Sequence, residues 1–163
     1  MKKPFAVAAA LCALLLAACT AAPQKQTVSM FDLSEAMSAA HSGQTEMKLA
    51  SSSDADPEGI FERFSDMDYG KVESFFLLYA ADGAASTDEI AVIALRDAAD
   101  AAEAAKSLER HVEKRRALYG TYAPELVPAL DGAEVFTSAQ YAVLIVSPNA
   151  DAVRRAFEEF IAK

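Results

Sequence analysis

Two apolar runs joined by a short link constrain this chain most. Lys71–Ala80 (KVESFFLLYA) strings Val72, Phe75, Phe76, Leu77, Leu78 and Tyr79 together, and Glu89–Arg96 (EIAVIALR) follows it. Both are rich in β-formers and are apolar on both alternating sets of positions, so each predicts a strand covered on two faces rather than one washed by water. The link, Ala81–Asp88, carries the turn signal Asp82-Gly83. It is shorter than the roughly dozen residues a parallel crossover needs, so the pair is expected to be an antiparallel hairpin.

The rest of the sequence arranges itself around that hairpin. Leu33, Ala36, Met37 and Ala40 recur at helical spacing and predict a first helix over 30–40, capped by Ser29 or Asp32. Thr45–Ala50 is a candidate short strand. Asp56-Pro57 reads as a helix start running to about Ser65. Asp97–Leu118 predicts the longest helix, with Ala101, Ala104, Ala105, Leu108 and Val112 as its apolar stripe and Gly120 as its stop. Pro124 and Pro128 make Tyr122–Leu130 a loop or short helical turn. Ala133–Thr137 and Tyr141–Ser147 predict a second hairpin around Ser138-Ala139-Gln140, and Ser147-Pro148 opens a last helix to Ile161. The order is β-β-α-β-β-α after an N-terminal helix. That implies an α+β single domain: an antiparallel sheet of two hairpins with helices packed on it.

The N-terminus carries a different message. Met1-Lys2-Lys3 precedes an apolar run from Phe5 to Leu16, a pattern of secretory signals and too short for a bilayer span of about 20 residues. Leu16-Ala17-Ala18-Cys19 closes the run and resembles the bacterial lipobox. The resemblance implies cleavage before Cys19 and a thioether-linked diacylglycerol on its sulfur, hence palmitate-type chains in the cell membrane with the protein on the extracytoplasmic face. Two or more acyl chains make a stable anchor. The domain scheme expected is a lipoprotein signal peptide over 1–18, lipidated cysteine and tether over 19–29, and one α+β domain over 30–163. The polar segment Thr20–Ser29 contains Pro23 and reads as a tether.

Composition narrows the chemistry. Cys12 and Cys19 are the two cysteines, so after such processing no thiol remains for a disulfide, a metal or a nucleophile. The formal charge of −9 becomes two units more negative once Lys2 and Lys3 leave. Such acidity argues against nucleic-acid binding, which needs a basic face. Asp54-Ala55-Asp56-Pro57-Glu58-Gly59 imitates half a calcium loop but has Ser65 where a bidentate Glu belongs. His41 and His111 lie far apart, outside any ligand-spaced cluster. No metal and no cofactor is therefore expected.

Arg110, His111, Lys114, Arg115 and Arg116 read as the basic end of the long helix, favourable to its dipole by about 0.3–1 kcal/mol per group; an anion site for teichoic acid or phospholipid headgroups is the functional alternative. Asp88-Glu89 could supply a general acid or base, though an acidic pair at a strand entrance is usually solvated. Tyr119, Tyr122 and Tyr141 could line a groove, though such tyrosines more often cover a core edge. Asp88, Glu89, Tyr119, Tyr122 and Tyr141 are thus the candidate binding residues, Cys19 the lipidation site, and no residue is singled out as catalytic: no nucleophile elbow, phosphate loop or paired-histidine motif occurs.

The segments from Val72 onward resemble a family. The aromatic strand, Thr87-Asp88-Glu89-Ile90-Ala91-Val92, the Asp/Ala/Glu-rich helix, Tyr122-Ala123-Pro124-Glu125, Tyr141-Ala142-Val143-Leu144-Ile145-Val146-Ser147 and a closing Ala/Glu/Phe helix are similar to the lipoproteins of domain-of-unknown-function family 4358. The resemblance implies a lipobox and no assigned activity. It also implies a last hairpin that turns on a glycine-containing pair, where this chain has Ala139-Gln140.

The expected function is a non-catalytic binding or envelope-assembly role, with a membrane contact through Cys19 and an envelope protein or cell-wall ligand as partner. The alternatives are a carboxylate-dependent envelope enzyme using Glu89, and a small ligand-binding lipoprotein. A pocket holding Glu89 beside a second titratable group favours the enzyme; Glu89 exposed on a flat face counts against it.

Overall fold

The computed structural model describes residues 28–163. The expected signal segment, Cys19 and the tether as far as Thr27 lie outside them. The elements run α1 (Met30–Ala40), β1 (Met47–Ser51), α2 (Pro57–Phe61), β2 (Val72–Ala80), β3 (Glu89–Leu95), α3 (Ala101–Tyr122), α4 (Val127–Asp131), β4 (Glu134–Ser138), β5 (Tyr141–Val146) and α5 (Ala150–Ile161). No helix among the described residues is long and apolar enough to cross a membrane.

The strands form one antiparallel sheet in the order β1-β2-β3-β5-β4. Both expected hairpins form, and they meet through β3 and β5, with Val92 opposite Val143. The sheet also takes in β1 as an outer strand, paired Leu49 to Leu78. Every residue of β3 is buried, as its apolar character on both faces requires.

Helices cover both faces. Phe75, Leu77, Ala91 and Ile93 pack with Ala104, Leu108 and Val112 of α3 and with Phe61 and Phe64 around α2. On the reverse, Phe76, Leu78, Ile90 and Val92 pack with Leu33 and Met37 of α1 and Val153 and Phe157 of α5. Each fully buried side chain of this size contributes about 1.5–3 kcal/mol.

Several boundaries differ from expectation; α3 begins at Ala101, after a 3-10 turn over Ala98–Asp100, rather than at Asp97, and β1 runs Met47–Ser51 rather than Thr45–Ala50. α2 ends at Phe61 rather than Ser65. The chain leaves the helix in turns, with Phe64 N and Ser65 N both donating to Phe61 O, and Phe61 and Phe64 pack on Phe75 with ring centroids 5.5 Å from it. α3 runs through Gly120 to Tyr122 and stops before Pro124, whose ring disfavours helical geometry at the residue preceding it. The start of α5 is set by Asn149, not by a Ser147-Pro148 cap: its amide reaches α1 instead, donating to Ala40 O at 2.6 Å and accepting from Ser42 N at 2.9 Å.

The β4–β5 turn is tight, with Ser138 opposite Tyr141 and Ala139 at φ 49°. An L-residue in that left-handed region costs about 1–2 kcal/mol, partly offset against glycine's larger loss of chain entropy. Ala139→Gly is therefore expected to stabilise the domain by about 0.5–1 kcal/mol, read as a raised urea midpoint at unchanged slope.

Candidate functional site

Helix α3 lies over β5 and β4. The β1–β2 half of the same sheet face is left open as a cleft of about 640 Å³. Cross-strand neighbours share a face, so Tyr79 and Glu89 stand in one row of the floor, with Lys48 on the same face beyond it, and Ala50 and Leu77 stand in the next. One wall is α3, which presents His111, Arg115 and Tyr119 at successive i, i+4 positions. Ile60, Arg63 and Phe64 form the other wall, and Gly83 and Ser86 close one end.

Strand alternation sends Glu89 into this cleft, 5% exposed. A buried carboxylate needs partners, and α3 supplies two. Oε1 lies 2.8 Å from His111 Nε2. Oε2 lies 2.7 Å from Arg115 Nη1, an ion contact whose N–H is not aimed along the line between them. Arg115 Nη2 donates to Thr87 O at 3.1 Å, and its guanidinium lies 5.6 Å from the Tyr119 ring centre. Tyr119 in turn donates to Gly83 O at 2.9 Å. The link between the two strands is thus pinned to α3 by two side chains, and one of them also holds the buried acid.

Of the candidate residues, Glu89 and Tyr119 meet in the cleft. Tyr122 stacks on Tyr119 with centroids 5.0 Å apart, more than half exposed on the last turn of α3; the Tyr119 hydroxyl beside it pushes its phenol pKa up. Tyr141 is elsewhere: it opens β5 beside Ala94, on the opposite face, and packs edge-on to Phe157 at 5.9 Å.

Asp88 is also elsewhere. Strand alternation turns it to the α1 side, where its Oδ2 lies 3.4 Å from Nε2 of buried His41, within ion-pair reach but poorly aligned for a hydrogen bond. His41 Nδ1 contacts Ser147 Oγ at 2.8 Å. The acidic pair is therefore buried and split between two faces, each carboxylate meeting one histidine, rather than solvated as a unit.

The basic stretch of α3 is not its end. Because the helix continues to Tyr122, Arg110, His111 and Arg115 sit in its middle and are held by side chains rather than by the dipole. The i, i+4, i+8 spacing of His111, Arg115 and Tyr119 is the signal that would have assigned them to one face. The calcium-like segment is used locally: Asp56 Oδ1 caps α2 by accepting from Gly59 N, and Asp54 Oδ2 accepts from Ser51 N. Among the described residues no three His, Cys, Asp or Glu side chains converge as a metal would require.

A family model matches residues 46–147, and it is described as a domain of unknown function, DUF4358. The chain belongs to this family. The DUF4358 match begins at the residue before β1 and ends at the residue after β5, so it contains every residue lining the cleft and leaves α1 and α5 outside. No curated protein and no solved structure matches the chain.

Beside the cleft, Asp66 anchors the segment after α2 to α3. It accepts from Arg110 and from Ser107 Oγ at 2.8 Å, and these bonds, Arg110's first, hold its carboxyl well below the usual range. A depressed folded-state pKa contributes stability that is complete above the unfolded value and is lost as pH falls through the folded one. Asp66→Asn is therefore expected to lower stability at pH 7 and to make the loss below about pH 4 shallower than in the native protein. The carboxylate is two-fifths exposed, so screening keeps the effect small. Urea midpoints measured from pH 2 to 7 test it.

Proposed function

We propose that this DUF4358 chain is a membrane-anchored lipoprotein on the extracytoplasmic face, and that its domain is a non-catalytic binding module whose ligand site is the cleft over Glu89. The anchor rests on Leu16-Ala17-Ala18-Cys19 after a charged start and an apolar run. The binding role rests on one observation: a cleft of about 640 Å³ that sets apolar residues such as Ala50, Ile60, Phe64 and Leu77 beside a buried Glu89–His111–Arg115 cluster. That combination of apolar lining with a few convergent polar groups is what small-ligand sites share. Both Glu89 oxygens are already engaged, which suits a group that orients its neighbours better than one that exchanges protons.

Two measurements test this. Cys19→Ser should release the protein from membranes or leave it unprocessed. Amphipathic fragments bearing one carboxylate or one amine, titrated into the protein, should shift the resonances of Tyr79 and Tyr119; hits scattered over the surface would overturn the cleft.

Glu89 lies in a pocket beside a second titratable group, His111, the arrangement expected of a carboxylate-dependent enzyme, and this supports a second reading. Glu89 against His111 Nε2 leaves Nδ1 as a base, the arrangement of a carboxylate-oriented imidazole. Turnover of p-nitrophenyl esters, phosphates or glycosides that vanished in His111→Gln would favour it over binding alone.

A further inference from the structure

Strand β1 is an outer strand of the sheet, and its outward edge is unpaired over part of its length among the described residues. Glu46 O accepts from Ala81 N, and Ser52 N donates to Phe75 O. Main-chain groups alternate along an antiparallel strand, so positions 46, 48, 50 and 52 face β2 and those of Met47 and Leu49 face outward. At Ser51 the outward groups are taken, its N–H by Asp54 Oδ2 at 2.6 Å and its carbonyl by Asp54 N at 3.2 Å. Among the described residues the edge is open over Met47–Leu49 and closed by Asp54 beyond.

Outer strands are usually blunted by charge, proline or a bulge. Here the one lysine, Lys48, stands on the cleft face, while Leu49 is 42% exposed at the rim. Leu49 also belongs to two depressions. One is the cleft; the other is a groove of about 100 Å³ on the opposite face, between α1 and β1, bounded by Met30, Phe31 and Phe76. Phe31 beside it is 60% exposed. An added strand would drop alternate side chains into these two depressions, the geometry by which sheet edges bind peptides.

Charge selects the occupant. Lys48 beside the cleft and Arg63 on its wall have no ion partner among the described residues, whereas Asp54 and Asp56 on the same lining already accept from Ser51 N and Gly59 N, in a chain of net charge −9. We propose that β1 takes up an extended segment of a partner protein as an added strand, with apolar side chains toward the Phe31 groove and a carboxylate toward Lys48 and Arg63. A second copy of this chain fits less well, because the net negative charges of two copies repel. The proposal deepens the cleft reading and rests on it, by naming what enters.

The test uses the full chain, immobilised in detergent, to select from a display library of random heptapeptides. Recovered peptides should alternate apolar residues with Asp or Glu. Labelled with fluorescein, they should bind Lys48→Glu at least about tenfold more weakly, and a peptide with Lys replacing its acid should regain that loss. Leu49→Pro removes the outward N–H without touching the ladder to β2, and should also weaken binding about tenfold. Because that variant could misfold, N-methylated peptides supply an independent reading: methylation of one alternating set of amides should abolish binding and of the other set leave it. Absence of any enriched peptide, or equal binding by both methylated sets, would overturn the proposal. Sedimentation showing a dimer that Leu49→Pro dissociates would overturn it in favour of self-pairing. Fragment shifts at Tyr79 and Tyr119 with no peptide binding would sink the strand-addition proposal while leaving the cleft reading intact.

Discussion

Glu89→Ala is expected to lower the unfolding free energy by about 3–5 kcal/mol, the cost of removing one partner from a buried ion pair. The loss is not that of the carboxylate's own attraction. It arises because Arg115, whose side chain is 16% exposed, keeps its charge and loses its counter-ion, while His111 loses its acceptor. Glu89→Gln should cost less, since the amide oxygen still accepts from His111. The double variant Glu89→Leu/Arg115→Leu should recover most of the loss, because no charge is then left unpaired and two leucines suit a neighbourhood of Phe64, Leu77 and Ala91. Urea unfolding at pH 7 measures all three. If Glu89→Ala fell within 1 kcal/mol of native, the cluster would have to be water-screened. The double variant also separates stability from recognition: it should fold like the native chain, yet bind charged fragments in the cleft at least about tenfold more weakly.

The strands were legible because Val72–Tyr79 and Glu89–Leu95 are apolar on both faces and the link between them is too short for a crossover. The antiparallel pairing followed from the same facts. The apolar stripe of α3 was legible too, since Ala104, Leu108 and Val112 repeat at helical spacing and all end up buried. The polar side of that helix was not. Its cations look alike in sequence, but Arg110 reaches Asp66, Arg116 reaches Asp131, and His111 and Arg115 share Glu89. Which acid each one meets depends on where α3 crosses the sheet, a long-range matter that local spacing does not encode. Gly120 misled for a related reason. Its helix propensity is poor, but Tyr119 is tied across to Gly83 and meets the Tyr122 ring one turn on, and one tertiary and one local contact carry the helix onward past a weak residue towards Pro124. Asp88-Glu89 looked like a solvated pair because sequence adjacency hides the fact that consecutive strand residues face opposite sides.

The second large effect is expected at Gly43, in the segment joining α1 to β1. A Cβ placed there would come within 2.2 Å of His41 Nε2 and 2.3 Å of Asp88 Oδ2, so it would occupy the space between the two partners. His41 cannot yield cheaply: it is fixed through Nδ1 to Ser147 Oγ, which also donates to Asn149 Oδ1 at 3.0 Å, and Asn149 holds the last carbonyl of α1, that of Ala40. Asp88 is held by its backbone at the mouth of β3, where its carbonyl accepts from Ala80 N, but its carboxylate can turn away by giving up His41. Gly43→Ala should therefore cost about 1–3 kcal/mol, the overpacking of a filled site together with loss of the His41–Asp88 contact. The damage should be local in kind. Amide exchange should accelerate first in α1 and in the first turn of α5, which this cluster joins, while β2, β3 and α3 on the other side of the sheet keep their protection until global unfolding. His41→Ala in the Gly43→Ala background should relieve part of the loss, since the ring that clashes is gone; a fully additive pair of losses would mean that the glycine is needed for some reason other than this close approach.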